Sequence, residues 1–408
     1  MDPLQFDVVI VGAGPAGCTA AYMLSGKGLK IALLDKDIFP REKICGDAFG
    51  ADVTKQFHSI NEALTQKLQQ FAGKVPSNGV RFFSPNHQQM DVEFASPKNK
   101  FGGGFVARRL DFDHFYFSEV SKLPDVEIFQ DQQVTEVAIQ PDKISLKTAG
   151  SCFEAKFALG ADGAHSILNK RLTGNKVEKD HYSAGLRQYY SNVKGFHHSN
   201  YIELHFYKEL LPGYLWVFPL PNGHANVGLG MLSKDVSRKK INLKEKLTEL
   251  LKNHPNLKER FRDAKPLENI QGYGLPLGSV KRSISGERFL LLGDAAGLID
   301  PFTGEGIANA IRSGRVAASH IIKAFEQNRF DADFNKQYDK EIYYKMWTEF
   351  RFGHSMQKLF RHPRIINFVV KKANKNKSVQ FMLSAMLNNF DMKKELVKPS
   401  FYFKLFFT

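Results

Sequence analysis

Residues 6–17 read FDVVIVGAGPAG, a nearly continuous apolar run followed by glycines at G-x-G-x-x-G spacing. Such a run is typical of a parallel β-strand that is buried on both faces. Gly12 allows a tight turn, Gly14 lets a pyrophosphate approach the backbone, and Gly17 lets the following helix pack closely on the strand. The N–H groups at the start of that helix then face the phosphates. This segment therefore predicts the first strand–turn–helix unit of a dinucleotide-binding domain.

A second apolar segment, residues 30–34, ends at Asp35. An acid at this distance from the first glycine is placed to accept the ribose hydroxyls of an adenosine. The alternative is a solvated acid at a strand end. The rest of the pattern favours the ribose contact.

A second glycine-rich segment lies far along the chain. Residues 293–297 are Gly-Asp-Ala-Ala-Gly; they follow the apolar residues 289–292 and precede a Gly-Glu-Gly sequence at 304–306. One fingerprint alone does not distinguish NAD from FAD. Two such segments, each between an apolar strand and a helix, predict one extended cofactor held from both ends of the chain, which is FAD.

Composition restricts the remaining possibilities. The chain has 408 residues, 43% of them hydrophobic, and three cysteines, Cys18, Cys45 and Cys152. So few and widely spaced cysteines argue against a disulfide framework or a zinc site and favour a reducing cytoplasm. The histidines form no metal-binding spacing, so we expect no metal. A strand beginning at residue 6 leaves no room for a signal peptide, and no apolar run is long enough to span a membrane.

The order of predicted elements gives a mixed α/β (α+β) fold. A Rossmann-like FAD-binding domain is interrupted by a β-sheet substrate domain and followed by a helical C-terminal extension. The predicted boundaries are 1–78, 101–182 and 276–330 for the FAD-binding domain, 79–100 and 183–275 for the β-rich domain, and 331–408 for the extension.

The extension is strongly basic. Residues 351–408 contain twelve Lys or Arg and two acids, against a net charge of +15 for the whole chain. Apolar stretches at 365–370 and 381–383 are interleaved with this charge, and residues 401–407 are mostly aromatic. One interpretation is a helical cap with a solvated basic side. Another is peripheral contact with an anionic membrane. We expect no nucleic-acid binding, because no recognised module accompanies the charge.

Four further motifs carry a family resemblance. They are P-R-x-K-x-C-G at 40–46, Y-x-W-x-F-P at 214–219, N-V-G-x-G at 226–230 and P-x-T-G-E-G-I at 301–307. Together with the glycine-rich segments, they resemble the geranylgeranyl reductase family. That family has the p-hydroxybenzoate hydroxylase fold of group A flavoprotein monooxygenases. The resemblance covers about residues 5–320.

The resemblance assigns cofactor contacts. Asp294 would hydrogen-bond the ribityl chain, and the helix beginning near Gly304 would direct its N–H groups at the flavin edge that becomes anionic on reduction. Arg109 would reach the ribityl–phosphate region, with Arg108 as the alternative. The full expected set is Gly12, Gly14, Pro15, Ala16, Gly17, Asp35, Lys36, Arg41, Cys45, Gly46, Arg109, Val134, Asp162, Gly163, Gly293, Asp294, Pro301, Gly304, Glu305, Gly306 and Ile307.

The resemblance also bears on the reductant. Asp162-Gly163 is tied to NAD(P)H use in the family. Here Asn169 stands where an Arg is often found, and Arg171 is the nearby cation. Residues 180–275 contain no second strand–glycine-rich–helix unit, so we expect NAD(P)H to dock transiently, without a second nucleotide domain. His165 is a variable position in this segment rather than a base.

Four residues are candidates for the substrate side. Tyr214, Trp216 and Phe218 share one strand face by period-two alternation, so they either roof an apolar cavity or form ordinary sheet core. Cys45 would lie beside the flavin, where a thiol either donates a proton or fills space as a small hydrophobe.

The predicted function is NAD(P)H-dependent reduction of carbon–carbon double bonds in a small apolar, isoprenoid-like or polyene substrate. The first alternative is an FAD-dependent monooxygenase of an apolar or aromatic substrate. A halogenase and a non-catalytic flavin-binding lipid sensor fit less well. The sequence does not choose between NADH and NADPH, and it slightly favours a monomer.

Overall fold

The computed structural model describes residues 2–94, 101, 103–376, 379–380 and 383. Its strands, in chain order, are β1 Leu4–Val11, β2 Ile31–Leu34, β3 Ala48–Phe49, β4 Lys74–Ser77, β5 Gly79–Phe83, β6 Gln89–Glu93, β7 Gly104–Ala107, β8 Val126–Phe129, β9 Glu136–Ile139, β10 Ile144–Lys147, β11 Cys152–Gly160, β12 Tyr182–Ser191, β13 Ile202–His205, β14 Tyr214–Pro219, β15 Ala225–Leu232, β16 Lys265–Pro266, β17 Gln271–Pro276, β18 Ser285–Gly286 and β19 Phe289–Leu291.

The α-helices of the same residues connect and cover these strands. They are α1 Pro15–Leu24, α2 Ala51–His58, α3 Glu62–Gln70, α4 Arg109–Val120, α5 Ile167–Leu172, α6 Ser233–Lys239, α7 Leu243–Asn253, α8 Lys258–Phe261, α9 Ile307–Glu326, α10 Ala332–Leu359 and α11 Pro363–Lys375. Helix α4 begins directly at Arg109.

The first sheet has the strand order β18-β19-β11-β1-β2-β8. Its central strands are parallel, with Val8 paired to Ile31 on one side and to Phe157 on the other. Strand β1 is paired with a strand on each side, and other residues cover both of its faces. Its apolar residues 8–11 are therefore buried, as expected for a parallel strand. The carboxyl ends of β1, β2 and β19 therefore meet at one edge, where both glycine-rich segments begin.

The second sheet has the order β16-β12-β15-β14-β13-β5-β6, and its pairs are antiparallel except for β13 with β5. One face is directed at the first sheet. Helices α6, α7 and α8 lie within the segment predicted to be β-rich, so residues 233–261 differ from the strands on either side of them. The apolar face of α7 explains the difference, because its leucines recur at helical spacing and are buried: Leu243, Leu247, Leu250 and Leu251.

Beyond residue 330, α10 packs against β18 and β19 of the first sheet, and α11 packs against the second sheet. Ile366, Val370 and Ala373 of α11 are buried in one cluster with Val80 and Val92 of β5 and β6. The predicted helical extension is thus present in its described part, and the predicted α/β fold class is confirmed. Residues 381–382 and 401–407 lie outside the described residues. Within the part that is described, no helix combines the length and apolarity needed to cross a membrane.

Candidate active site

A cavity of about 760 Å³ lies between the two large sheets. Every residue expected to contact the cofactor lines it except Gly17, and so do Tyr214, Trp216 and Phe218. The two glycine-rich segments, separated by most of the chain, are therefore brought to one site.

The three glycines of the first fingerprint have different surroundings. Gly12 has a φ of +100°, a conformation that favours glycine, and a Cβ there would overlap the Ala161 carbonyl oxygen. A Cβ on Gly17 would overlap the carbonyl oxygen of Gly12. Gly17 is thus required for helix-to-strand packing rather than for contact with the cavity. At Gly14, the sole described atom within 4 Å of a Cβ would be Nη2 of Arg41, at 3.7 Å.

Charged side chains surround the open space at Gly14. Asp35 is buried, and its carboxylate accepts hydrogen bonds from the backbone N–H groups of Ala13 at 2.8 Å and Asp37 at 3.0 Å. Arg41 pairs with Asp113 at 2.9 Å and lies 3.7 Å from Asp35. This arrangement places an acid at the end of β2 and a cation beside the glycine turn, which suits a ribose and a pyrophosphate.

Arg109, rather than Arg108, is the arginine that enters the cavity. Its Nε and Nη2 donate to the two carboxylate oxygens of Asp113 at 2.7 and 2.8 Å. Burial by itself would lower the pKa of Arg109, but Asp113, followed by the Cys45 thiol, holds that pKa above its usual range. Arg108 instead donates to Glu42 at 2.8 Å at the surface.

The second glycine-rich segment forms a turn and a helix start at the same edge. Gly293 has a φ of +56° and donates its N–H to Oγ of Ser313. Oδ1 of Asp300 accepts the N–H groups of Phe302 at 2.9 Å and Thr303 at 2.8 Å, which shapes the loop before Gly304. Helix α9 begins at Ile307, so its first N–H groups lie beside the cavity.

The aromatic residues predicted on the substrate side form a wall along β14. Tyr214 and Trp216 have ring centroids 6.3 Å apart, and Trp216 and Phe218 have theirs 6.1 Å apart. The Tyr214 hydroxyl donates to the Thr303 carbonyl oxygen, linking this wall to the loop before α9. Apolar side chains of β13 and β5, and of Phe206 directly after β13, also line the cavity: Val80, Phe82, Ile202, Leu204 and Phe206.

Asp162 lies where the cavity passes the end of β11. Burial raises the pKa of Asp162 to about 6, although its carboxylate accepts hydrogen bonds that oppose this shift. Its Oδ2 accepts from the Ile167 N–H at 2.7 Å, whereas no described group hydrogen-bonds to Oδ1. Asn169, which replaces the expected arginine, accepts from Thr173 at 2.6 Å and is absent from the cavity lining.

The cavity residues that were not predicted from the sequence include two charged ones in or beside the 40–46 motif, Lys43 and Asp47. The Lys43 ammonium lies 3.2 Å from the ring centre of Tyr273, and burial lowers its pKa to about 8. Asp47 is fully buried, and burial raises its pKa to about 6. The motif could have drawn attention to Lys43. Nothing in the sequence indicates that Asp47 is buried.

The site fits FAD on its own geometry. It combines an extended space between two glycine turns, an unpartnered buried carboxylate oxygen at Asp162, and a free approach to the backbone at Gly14. Asp35 suits the adenosine ribose, Arg41 the phosphates, and Asp294 with the start of α9 the flavin half.

Comparison with known proteins agrees with this geometry. The family model described as "FAD dependent oxidoreductase" matches residues 7–44, and the one described as "Geranylgeranyl reductase catalytic domain" matches residues 182–273. The digeranylgeranylglycerophospholipid reductase of Methanosarcina acetivorans is 30% identical over 84% of this chain and 81% of its own length. The menaquinone reductase of Mycobacterium tuberculosis is 29% identical over 76% of this chain and 75% of its own.

A solved structure shows the same fold over almost the whole chain. The geranylgeranyl bacteriochlorophyll reductase-like protein of Thermoplasma acidophilum superimposes with a TM-score of 0.81, covering 97% of this chain and 99% of that one. The two sequences are 23% identical.

Proposed function

Because the chain belongs to the geranylgeranyl reductase family of FAD-dependent oxidoreductases, we propose that it reduces carbon–carbon double bonds in an isoprenoid-like chain. The observation that carries the proposal is the apolar wall of Tyr214, Trp216 and Phe218, which lines the same cavity as the residues that suit FAD. The names of the relatives from Methanosarcina acetivorans and Mycobacterium tuberculosis, both reductases, support this choice.

The residues around the cavity have separable roles in such a reaction. FAD, when bound, supplies the hydride. Tyr214 holds the loop before α9 against the wall, and the apolar side chains exclude water from the substrate. The Cys45 thiol, on the loop between the cofactor half and the wall, is the proton donor that we favour. Arg109, whose pKa the Cys45 thiol helps to raise, is a charged side chain beside that thiol.

The reaction is tested by its dependence on oxygen. Purified protein is reduced without air and incubated with geranylgeranyl lipids, a polyprenyl quinone or simple aromatic compounds. A reductase yields product two mass units heavier than the substrate, because one hydride and one proton are added. Product that forms in air alone and contains oxygen-18 from labelled O₂ would identify a monooxygenase and refute the proposal.

We also propose that NAD(P)H reduces the enzyme by transient docking at the cavity. Among the described residues, the second sheet and its helices contain no further strand–glycine-turn–helix unit, which supports docking without a separate nucleotide domain. Stopped-flow reduction by NADH and NADPH measures this directly. Reduction by dithionite but by neither nucleotide would contradict it and indicate an external donor such as a ferredoxin.

We further propose that α11 contacts an anionic membrane surface. Its outward side presents Arg364, Lys371 and Lys375 with Phe368, which is 37% exposed, and residues 351–376 contain no acid. Basic helices with an exposed aromatic residue suit an anionic lipid interface. The same helix packs inwardly on the strands that line the apolar part of the cavity.

Vesicle binding tests this contact. Replacing exposed Lys371 and Lys375 by Glu should reduce binding to anionic vesicles, and binding of the wild type should weaken as salt rises. Reversal of exposed Lys244 and Lys252 on α7 changes the net charge equally and is the matched control. Equal loss of binding in both double variants would show a non-specific charge effect and contradict the proposal.

A further inference from the structure

The segment Pro40–Asp47, called here the Cys45 loop, crosses from the FAD-binding sheet to the aromatic wall. It carries Lys43, Cys45 and Gly46, all of which line the cavity. A Cβ at Gly46 would lie 3.2 Å from the ring of Phe218 and 3.6 Å from that of Trp216. The loop therefore lies directly on the wall, and a small shift of its backbone changes where the thiol stands relative to a substrate.

The end of this loop is held by one buried carboxylate. Asp47 is 0% exposed and has a φ of +66°. Its Oδ2 accepts from the Tyr189 hydroxyl at 2.6 Å and from Nδ2 of Asn226 at 2.8 Å, while Oδ1 accepts from the Arg109 N–H at 3.3 Å. Tyr189 and Asn226 belong to adjacent strands of the second sheet, and Arg109 begins α4. Asp47 thus connects three segments that are distant in sequence.

Asn226 extends the connection to Cys45 and to the wall. Its Nδ2 also donates to the Cys45 carbonyl oxygen at 2.8 Å, and its Oδ1 accepts from Nε1 of Trp216 at 2.9 Å. A single amide therefore fixes the backbone of Cys45 relative to the indole. Asp47 orients that amide, because it accepts one of its two hydrogens and leaves the other for Cys45.

The outer part of the same loop has a weaker attachment. Glu42 accepts from Arg108 at 2.8 Å and from Arg187 at 3.3 Å, but the Glu42 side chain is 48% exposed. An exposed ion pair contributes little to stability because water screens its charges. When a buried carboxylate loses a hydrogen-bond partner, water does not replace that partner, so the loss costs more free energy. Glu42 therefore provides a matched comparison on the same loop.

We infer that Asp47 is the positioning residue of the Cys45 loop, holding the thiol at a defined place against the aromatic wall through Tyr189 and Asn226. The inference deepens the proposed function, because it names what sets the geometry between the thiol and the substrate chain. The role of Asp47 in holding the loop does not depend on which substrate is reduced.

The three cysteines of the chain allow a test that does not need the substrate. Alkylation by iodoacetamide, followed by peptide mass spectrometry, gives a separate rate for each thiol in the FAD-loaded protein. Cys45 reports on the loop, half-buried Cys152 is the internal reference, and Cys18, which is 1% exposed, reports on global opening. The variants are Asp47→Asn, Tyr189→Phe, their double variant and Glu42→Gln, each compared at equal FAD content.

Asp47→Asn should change the alkylation rate of Cys45, relative to that of Cys152, by about tenfold because a local contact of the loop is lost. The alkylation rate of Cys18 should stay constant. Tyr189→Phe should change the rate in the same direction. The double variant should not exceed Asp47→Asn, since both changes remove the same contact. Glu42→Gln should change it by no more than about fivefold. An unchanged Cys45 rate in Asp47→Asn, or a Cys18 rate that rises in step, would overturn the inference.

Catalysis provides the second readout. Asp47→Asn should lower kcat by about 10- to 100-fold with a smaller change in KM, because a misplaced acid slows the chemical step more than it weakens binding of an apolar chain. A change confined to KM would overturn the positioning role. If the wild type reduces no isoprenoid at all, the proposed function fails, and the alkylation rates still decide the role of Asp47.

Discussion

Replacement of Gly14 by Val should remove FAD binding and leave the protein folded. Gly14 has φ −75° and ψ −175°, extended backbone that a β-branched residue adopts readily, and the nearest described atom to its Cβ position is Nη2 of Arg41 at 3.7 Å. The side chain therefore occupies space that the fold leaves open for the pyrophosphate. Each hydrogen bond to a charged phosphate contributes about 1.5–3 kcal/mol, so loss of two weakens FAD binding by roughly 10²- to 10⁴-fold.

Gly17→Ala is the matched comparison, since its methyl group would overlap the Gly12 carbonyl oxygen inside the protein. We expect that variant to lose about 1–3 kcal/mol of stability even without FAD, because α1 must move away from β1. Flavin fluorescence titration of the apoproteins gives the affinities, and thermal unfolding of the same apoproteins gives their stabilities. Our reasoning is refuted if Gly14→Val binds FAD like the wild type, or if its apoprotein melts as low as Gly17→Ala.

Gly228→Ala should cost about 1–3 kcal/mol of stability, since its methyl group would overlap the Trp216 ring, whereas Gly230→Ala, 3.7 Å from that ring, should be tolerated in the same unfolding assay. Because burial raises the pKa of Asp47 from 3.8 to about 6, native protein binds a proton more tightly than unfolded protein. The free energy of unfolding, measured in urea, should therefore fall for the wild type relative to Asp47→Asn as the pH rises from 4 to 6. The expected fall is about 1.4 kcal/mol per unit of difference between the native and unfolded pKa of Asp47. A difference between the two proteins that does not change with pH would contradict the burial effect. Acid precipitation should release the flavin into the supernatant, and flavin that remains with the pellet would indicate a covalent link.

Much of the cofactor half could be predicted from the sequence because its signals are local. The apolar run and glycine spacing of residues 6–17 describe a strand, a turn and a helix start that interact within a few residues of one another. The same holds for the segment before α9, where Asp300 shapes the loop through backbone groups two and three residues away. Because these contacts join residues that are close together in the chain, they require certain residue types at fixed spacings, which a sequence pattern can detect.

The tertiary structure alone decided the features that depend on distant segments. It selected Arg109 over Arg108 for the cavity, packed α7 against the second sheet, and buried Asp47 beneath Tyr189 and Asn226. Asp47 is an ordinary acid in the sequence, and the side chains of Tyr189 and Asn226 that hydrogen-bond to it lie more than 140 residues away, at intervals that match no periodicity. Whether such a residue is solvated or buried depends on which strands the fold brings against it. A local sequence pattern contains no information about that long-range packing.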